Sequence, residues 1–191
     1  MTVFRWLILS CWIGFAFVWA AWAVGAKRSL NRGQAWRPWA VRLVLIVLIS
    51  AILHQRVWRV DMGRVNRMFT SRSWEAGSIG LVLVTAGLGL AIWARVHIGR
   101  NWGLPMSRKA DPELVTSGPY GVIRHPIYAG VMLAQLGSAV GVTIFWLLPL
   151  VIFGAYFVRC ARREEALLRT QFPQTYAEYE RRTWMLVPFV V

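Results

Sequence analysis

The chain has 191 residues, 57% of them hydrophobic and only 16% charged, with a mean hydropathy of +0.48. Intrinsic disorder is excluded, because disordered chains are poor in apolar residues, and a soluble globule is disfavoured by the gathering of apolar residues into charge-free blocks. The 22 Lys and Arg against 8 Asp and Glu give a net charge of +14, yet these basic residues lie between the apolar blocks. That is the pattern of membrane loops, so no nucleic-acid partner is expected.

In chain order, Trp6–Ala26 comes first, with 21 residues and no charge. It is longer than a signal-peptide core and no small-x-small cleavage site stands out before Lys27, so a retained span is expected. Trp39–Gln55 is a weaker candidate: only Leu43–Leu53 is strictly apolar, and Arg42 and Arg56 must snorkel outward. The basic stretch 56–72 is punctuated by Trp58, Met62 and Phe69, as an interfacial helix would be. Ala76–Ala94 has 19 charge-free residues, and Gly87-Leu88-Gly89 inside it reads as a place of close helix packing. Pro126–Val158 runs 33 residues without a charge. A single helix of that length would measure about 50 Å, too long for one ordinary crossing. Gly137 and Gly141 fall near its middle, so a helical hairpin with its turn there is expected.

The result is an all-α, polytopic integral membrane protein of about five spans, in one structural domain. Residues 1–75 supply N-terminal spans and basic loops, and residues 76–191 the core that carries the chemistry. Segments 27–42, 95–124 and 159–182 would share one side of the membrane and hold 16 Lys and Arg, against 6 on the other. The positive-inside rule makes the first side cytoplasmic. Nothing in the sequence selects an oligomeric state. Cys11 and Cys160 would lie at opposite depths and are expected to be unpaired thiols. His54, His97 and His125 fall in separate segments without metal-ligand spacing, so no metal site is expected.

Two polar stretches fall on the same expected face. In the first, Gly118-Pro119 marks a turn and Pro126 suits the first turn of a helix, which places Arg124 and His125 just before a helix N-terminus. Free N–H groups and a guanidinium there would attract a carboxylate or phosphate. Equally, Arg124 could snorkel to headgroups and His125 merely cap. In the second stretch, Arg162, Glu165 and Arg169 recur at three and four residues on one helix face, ahead of a break at Pro173. Glu164 and Glu165 could bind a ligand ammonium or hydroxyls, or form a solvated ion-pair face. Tyr176, Tyr179 and Trp184 could line a pocket or sit in the aromatic belt.

Together these residues resemble the isoprenylcysteine carboxyl methyltransferase family, itself related to the membrane phospholipid methyltransferases. The resemblance rests on Gly118-Pro119-Tyr120, Arg124-His125-Pro126-x-Tyr128-x-Gly130, the 33-residue apolar block, and Glu164-Glu165 followed by Phe172-Pro173, Tyr176, Tyr179, Arg182 and Pro188. Two departures stand out: Pro173 replaces a glycine common in relatives, and Thr183-Trp184 shortens the approach to the final proline. The resemblance implies S-adenosyl-L-methionine as methyl donor. Tyr120, His125, Pro126, Tyr128 and Gly130 would form the cofactor wall, and Glu165 would hold its polar groups. Arg124, Glu165 and Arg182 would serve the reaction. A lipophilic acceptor would arrive sideways from the bilayer, offering the carboxylate of an isoprenylcysteine-like group, with a phospholipid amine or a small thiol as the alternative acceptor and a membrane scaffold or transporter as the non-enzyme alternative.

Overall fold

A computed structural model describes residues 2–23, 73–99 and 113–188. The expected span Trp39–Gln55 and the basic stretch 56–72 lie outside them. Among the described residues every regular element is helical: α1 (Thr2–Ala23), α2 (Trp74–Ile98), α3 (Pro126–Gly141), α4 (Leu147–Gln171) and α5 (Pro173–Arg182). Three of these, α1, α2 and α4, are long and apolar enough to cross a membrane. The shorter α3 spans 16 residues, about 24 Å.

Local sequence sets the ends of these helices. Ser73 caps α2, its Oγ accepting from the Ala76 N–H at 3.0 Å. At the other end Gly99 adopts φ +52, and its N–H closes onto the carbonyls of Arg95 and Val96. Pro126 opens α3 at its first turn, as its missing N–H allows. Pro173 ends α4 and opens α5, so the expected break stands where the sequence put it. Gly118 sits at φ +59 with the His97 ring 2.7 Å from where a Cβ would lie, so only glycine fits the turn into Pro119-Tyr120.

Packing is dominated by small residues. Helices α2 and α3 run antiparallel with backbones in near contact: a Cβ on Gly87 would lie 2.5 Å from the Gly130 carbonyl, and one on Gly137 would lie 2.7 Å from the Gly80 carbonyl. Gly80 and Gly87, and on the facing helix Gly130 and Gly137, are each two turns apart and so share a face. Dispersion between backbones holds such an interface where lipid removes the hydrophobic drive between helices. Gly87 fulfils the expected packing role, whereas Gly89 faces open space. The hairpin turn follows directly on Gly141, the last residue of α3, with the chain reversing over residues 142–146, whereas Gly137 lies inside α3.

Helix α1 runs parallel to α2. Its start meets the start of α2, with Phe4 edge-on to Trp74 and pressed on Gly77, and Trp22 near its end gives its carbonyl to Arg95 at 3.3 Å. Between these, Trp12 donates to Ser138 Oγ at 3.0 Å and stacks on Trp146. Helix α1 therefore braces the hairpin. Cys11 and Cys160 are both free thiols.

Candidate functional site

Helix α3 rises about 24 Å from the hairpin turn, and Leu147 to Glu165 on α4 runs about 27 Å back. The two ends of the hairpin therefore come level, and Arg124 and His125 meet Glu164 and Glu165. Arg124 Nε donates to Glu165 Oε1 at 2.7 Å. His125 lies between the glutamates, with Nδ1 3.5 Å from Glu164 Oε2 and Nε2 3.5 Å from Glu165 Oε1. Tyr128 donates its hydroxyl to Glu164 Oε1 at 2.8 Å. Its ring stacks between His125 and Phe157, at centroid separations of 5.5 and 4.7 Å. Arg169 adds a second cation to Glu165 at 3.4 Å and bonds Glu180 on α5.

The C-terminal segment closes over this cluster. A parallel bridge joins Ile123 to Trp184. The N–H groups of Arg124 and His125 donate to the carbonyls of Trp184 and Met185 at 2.8 and 3.1 Å. These two N–H groups are not open to an anion, because the chain's own carbonyls satisfy them. The Arg124 guanidinium is likewise engaged within the fold, with Nη1 donating to the carbonyls of Glu180 and Thr183. Arg124 thus ties together the loop before α3, helix α4 and the end of α5.

Burial sorts the two glutamates. Glu165 is only 3% exposed and faces Arg124, His125 and Arg169. The Glu164 side chain is 26% exposed and holds Tyr128 and His125. Burial opposes charge on His125, but the carboxylates of Glu164 and Glu165 outweigh it and hold the imidazole above its ordinary range. Burial pushes the Tyr120 phenol up; its hydroxyl donates to the Ala94 carbonyl at 3.4 Å, and its own carbonyl accepts from Tyr179 at 2.7 Å.

Of the residues singled out in the sequence, His125, Tyr128, Glu164, Glu165 and Arg124 converge. Pro126 is buried beside them, and Tyr120 sits at the end of α2. Gly130 lies one turn farther along α3, where it admits the Gly87 backbone. Arg182 is not brought into the cluster: its side chain is 68% exposed and pairs with Glu178. Sequence reasoning missed Phe157, Arg169 as a partner of α5, and the closing segment at Trp184–Met185. Only the three- and four-residue charge spacing pointed to Arg169. Backbone pairing at residues 123 and 184 leaves no trace in composition.

With this geometry in place, the comparisons decide the family. Residues 76–175, just over half of the chain, match the profile of the phospholipid methyltransferase family. The chain belongs to that family. It is similar to a cobalt-zinc-cadmium resistance protein of Cupriavidus metallidurans, 33% identical over 69% of this chain and 62% of that one. It is similar to protein-S-isoprenylcysteine O-methyltransferase B of Arabidopsis thaliana, 30% identical over 61% of each chain. A third relative, the protein-S-isoprenylcysteine O-methyltransferase of Schizosaccharomyces pombe, is 29% identical over 84% of this chain and 70% of its own. The chain spans about three fifths of the length of the first two. The matched segment contains nearly all of α2, the Arg-His-Pro loop, the hairpin and the start of α5, and the relatives named as isoprenylcysteine methyltransferases bear out the resemblance to that family.

Proposed function

We propose that this is a multi-pass membrane methyltransferase that uses S-adenosyl-L-methionine, with its site facing the cytoplasm and an acceptor drawn from the bilayer. The observation that carries the reading is the meeting of His125, Tyr128, Glu164 and Glu165 at the mouth of the hairpin, inside the segment that defines the family. Fivefold crossing is supported by the parallel course of α1 and α2, which start on one face, and the cytoplasmic assignment by the distribution of basic residues.

The cluster suits the donor's chemistry. Two carboxylates favour a ligand carrying an ammonium and a sulfonium, and Tyr128 stacked on Phe157 supplies an aromatic wall beside them. His125 is 8% exposed, and its Nε2 meets Glu165 Oε1 only at 3.5 Å, longer than a good hydrogen bond, which leaves room for a polar ligand to share that pairing. In this proposal Tyr120, His125, Pro126, Tyr128, Gly130 and Glu165 form the donor site. Gly130 contributes by setting how closely α3 lies on α2. When bound, the donor supplies an electrophilic methyl group. The chain's part is to orient the donor, exclude water and align the acceptor in line. Arg124 keeps the site assembled, and exposed Arg182 serves the acceptor side.

The relatives named as isoprenylcysteine methyltransferases favour the carboxylate of a lipidated, isoprenylcysteine-like acceptor, which arrives ionised and needs no base. A second reading, methylation of a phospholipid amine, is favoured by the partly exposed Glu164, a carboxylate placed to take a proton. Purified full-length protein with labelled methyl donor tests both readings against a prenylcysteine analogue, a lipid amine and a small thiol. Label in the prenylcysteine product supports the first reading and label in the lipid amine the second. No transfer to any acceptor, from a protein that also fails to bind the donor, overturns the proposal.

A further inference from the structure

Tyr176 on α5 is one of the largest fully buried side chains, 1% exposed, and its hydroxyl has no hydrogen-bond partner among the described residues. Leaving a phenol O–H dry and unmet is costly, so native structures rarely do it without a ligand or water to complete the bond. Its surroundings are unusually charged for a buried ring. Arg169 lies 6.0 Å from the ring centroid and itself pairs with Glu165 at 3.4 Å and with Glu180. Burial first, and then the Glu165 carboxylate, push the phenol above its ordinary range, so it remains an O–H donor at neutral pH.

The Tyr176 hydroxyl is thus a buried donor with no partner among the described residues, on a ring whose neighbour Arg169 pairs with Glu165, the same carboxylate that His125 Nε2 approaches at 3.5 Å. Carboxylate and guanidinium groups mixed within a few ångströms match a zwitterion better than a neutral nucleoside. In the donor, the amino-acid end has that character and adenosine does not.

Resting on the methyltransferase reading, we propose that the Tyr176 hydroxyl binds the zwitterionic amino-acid end of the methyl donor, donating to its carboxylate while Glu165 receives its ammonium. Helix α5 then contributes a binding residue to the donor site as well as covering it.

Tyr176→Phe removes the hydroxyl and keeps the ring. Calorimetry on the full chain in detergent should use two probes: S-adenosylhomocysteine, which carries the amino-acid end, and methylthioadenosine, which lacks it. The expected result is about tenfold weaker binding of the first, the order for one hydrogen bond to a charged group, with the second unchanged. The unfolding midpoint of the ligand-free variant should be equal or higher, because an unmet buried group has been removed. Unchanged affinity for both probes, as a water-filled site would give, overturns the inference. Equal weakening of both probes also overturns it, by moving Tyr176 away from the amino-acid end. If wild type binds neither probe, the methyltransferase reading fails first, and that outcome is distinct from the other two.

Discussion

Arg124 Nε and Glu165 Oε1 are 2.7 Å apart, a buried ion pair that joins the loop before α3 to helix α4 across the full length of the hairpin. The same guanidinium reaches the carbonyls of Glu180 and Thr183. One side chain therefore fixes three segments around His125. Removing it leaves a buried carboxylate short of a cation. Arg124→Ala should lose about 3–5 kcal/mol of stability, seen as a lower unfolding midpoint in detergent. Arg124→Lys should recover only part of it, since an ammonium lacks the guanidinium's fork. A purely catalytic role would instead leave the midpoint at the wild-type value.

The glycine interface makes a paired prediction. Gly87→Ala should cost about 1–3 kcal/mol, because its methyl would meet the Gly130 carbonyl at 2.5 Å and both backbones must part. Gly89→Ala, with nothing within 4 Å, should be neutral or slightly stabilising. Comparing the two unfolding midpoints checks this, and equal effects would contradict the packing described.

His125 gives the pH dependence its sign. Its folded pKa is raised by Glu164 and Glu165 above an ordinary value of about 6.5. The stability contributed by the imidazolium is then fully present below that ordinary value and is lost as pH rises through the folded pKa. The midpoint of wild type relative to His125→Gln should be highest in mild acid and should fall toward alkaline pH. An advantage that grows with pH would contradict the assignment.

Arg182 separates turnover from binding. It is exposed and paired only with nearby Glu178 in the described contacts, so Arg182→Ala should leave the unfolding midpoint and donor affinity unchanged. If it serves the acceptor side as proposed, methyl transfer at saturating donor should fall about tenfold. An unchanged rate removes Arg182 from the site.

Much of this was legible in the residues. Charge-free blocks marked α1, α2 and the hairpin, and Pro126 and Pro173 marked the helix boundaries, because an imino acid restricts backbone geometry wherever it occurs. Gly137 misled for a physical reason: lacking a Cβ, it permits a turn or a close helix contact equally well, and in α3 the contact with Gly80 wins. The convergence of Arg124 and His125 on Glu165 followed from the hairpin alone. Whether Arg124 faced inward or toward a ligand did not, because that is decided by the carbonyls of residues 180–185, which any sequence could present.

The central claim is that the hairpin mouth holds a methyl donor, and titration of the full-length protein with S-adenosyl-L-methionine in a calorimeter tests it most directly. The account predicts saturable heat from wild type, strongly weakened in His125→Ala and in Glu165→Gln variants that still unfold cooperatively. Absence of binding heat from folded wild-type protein would contradict it.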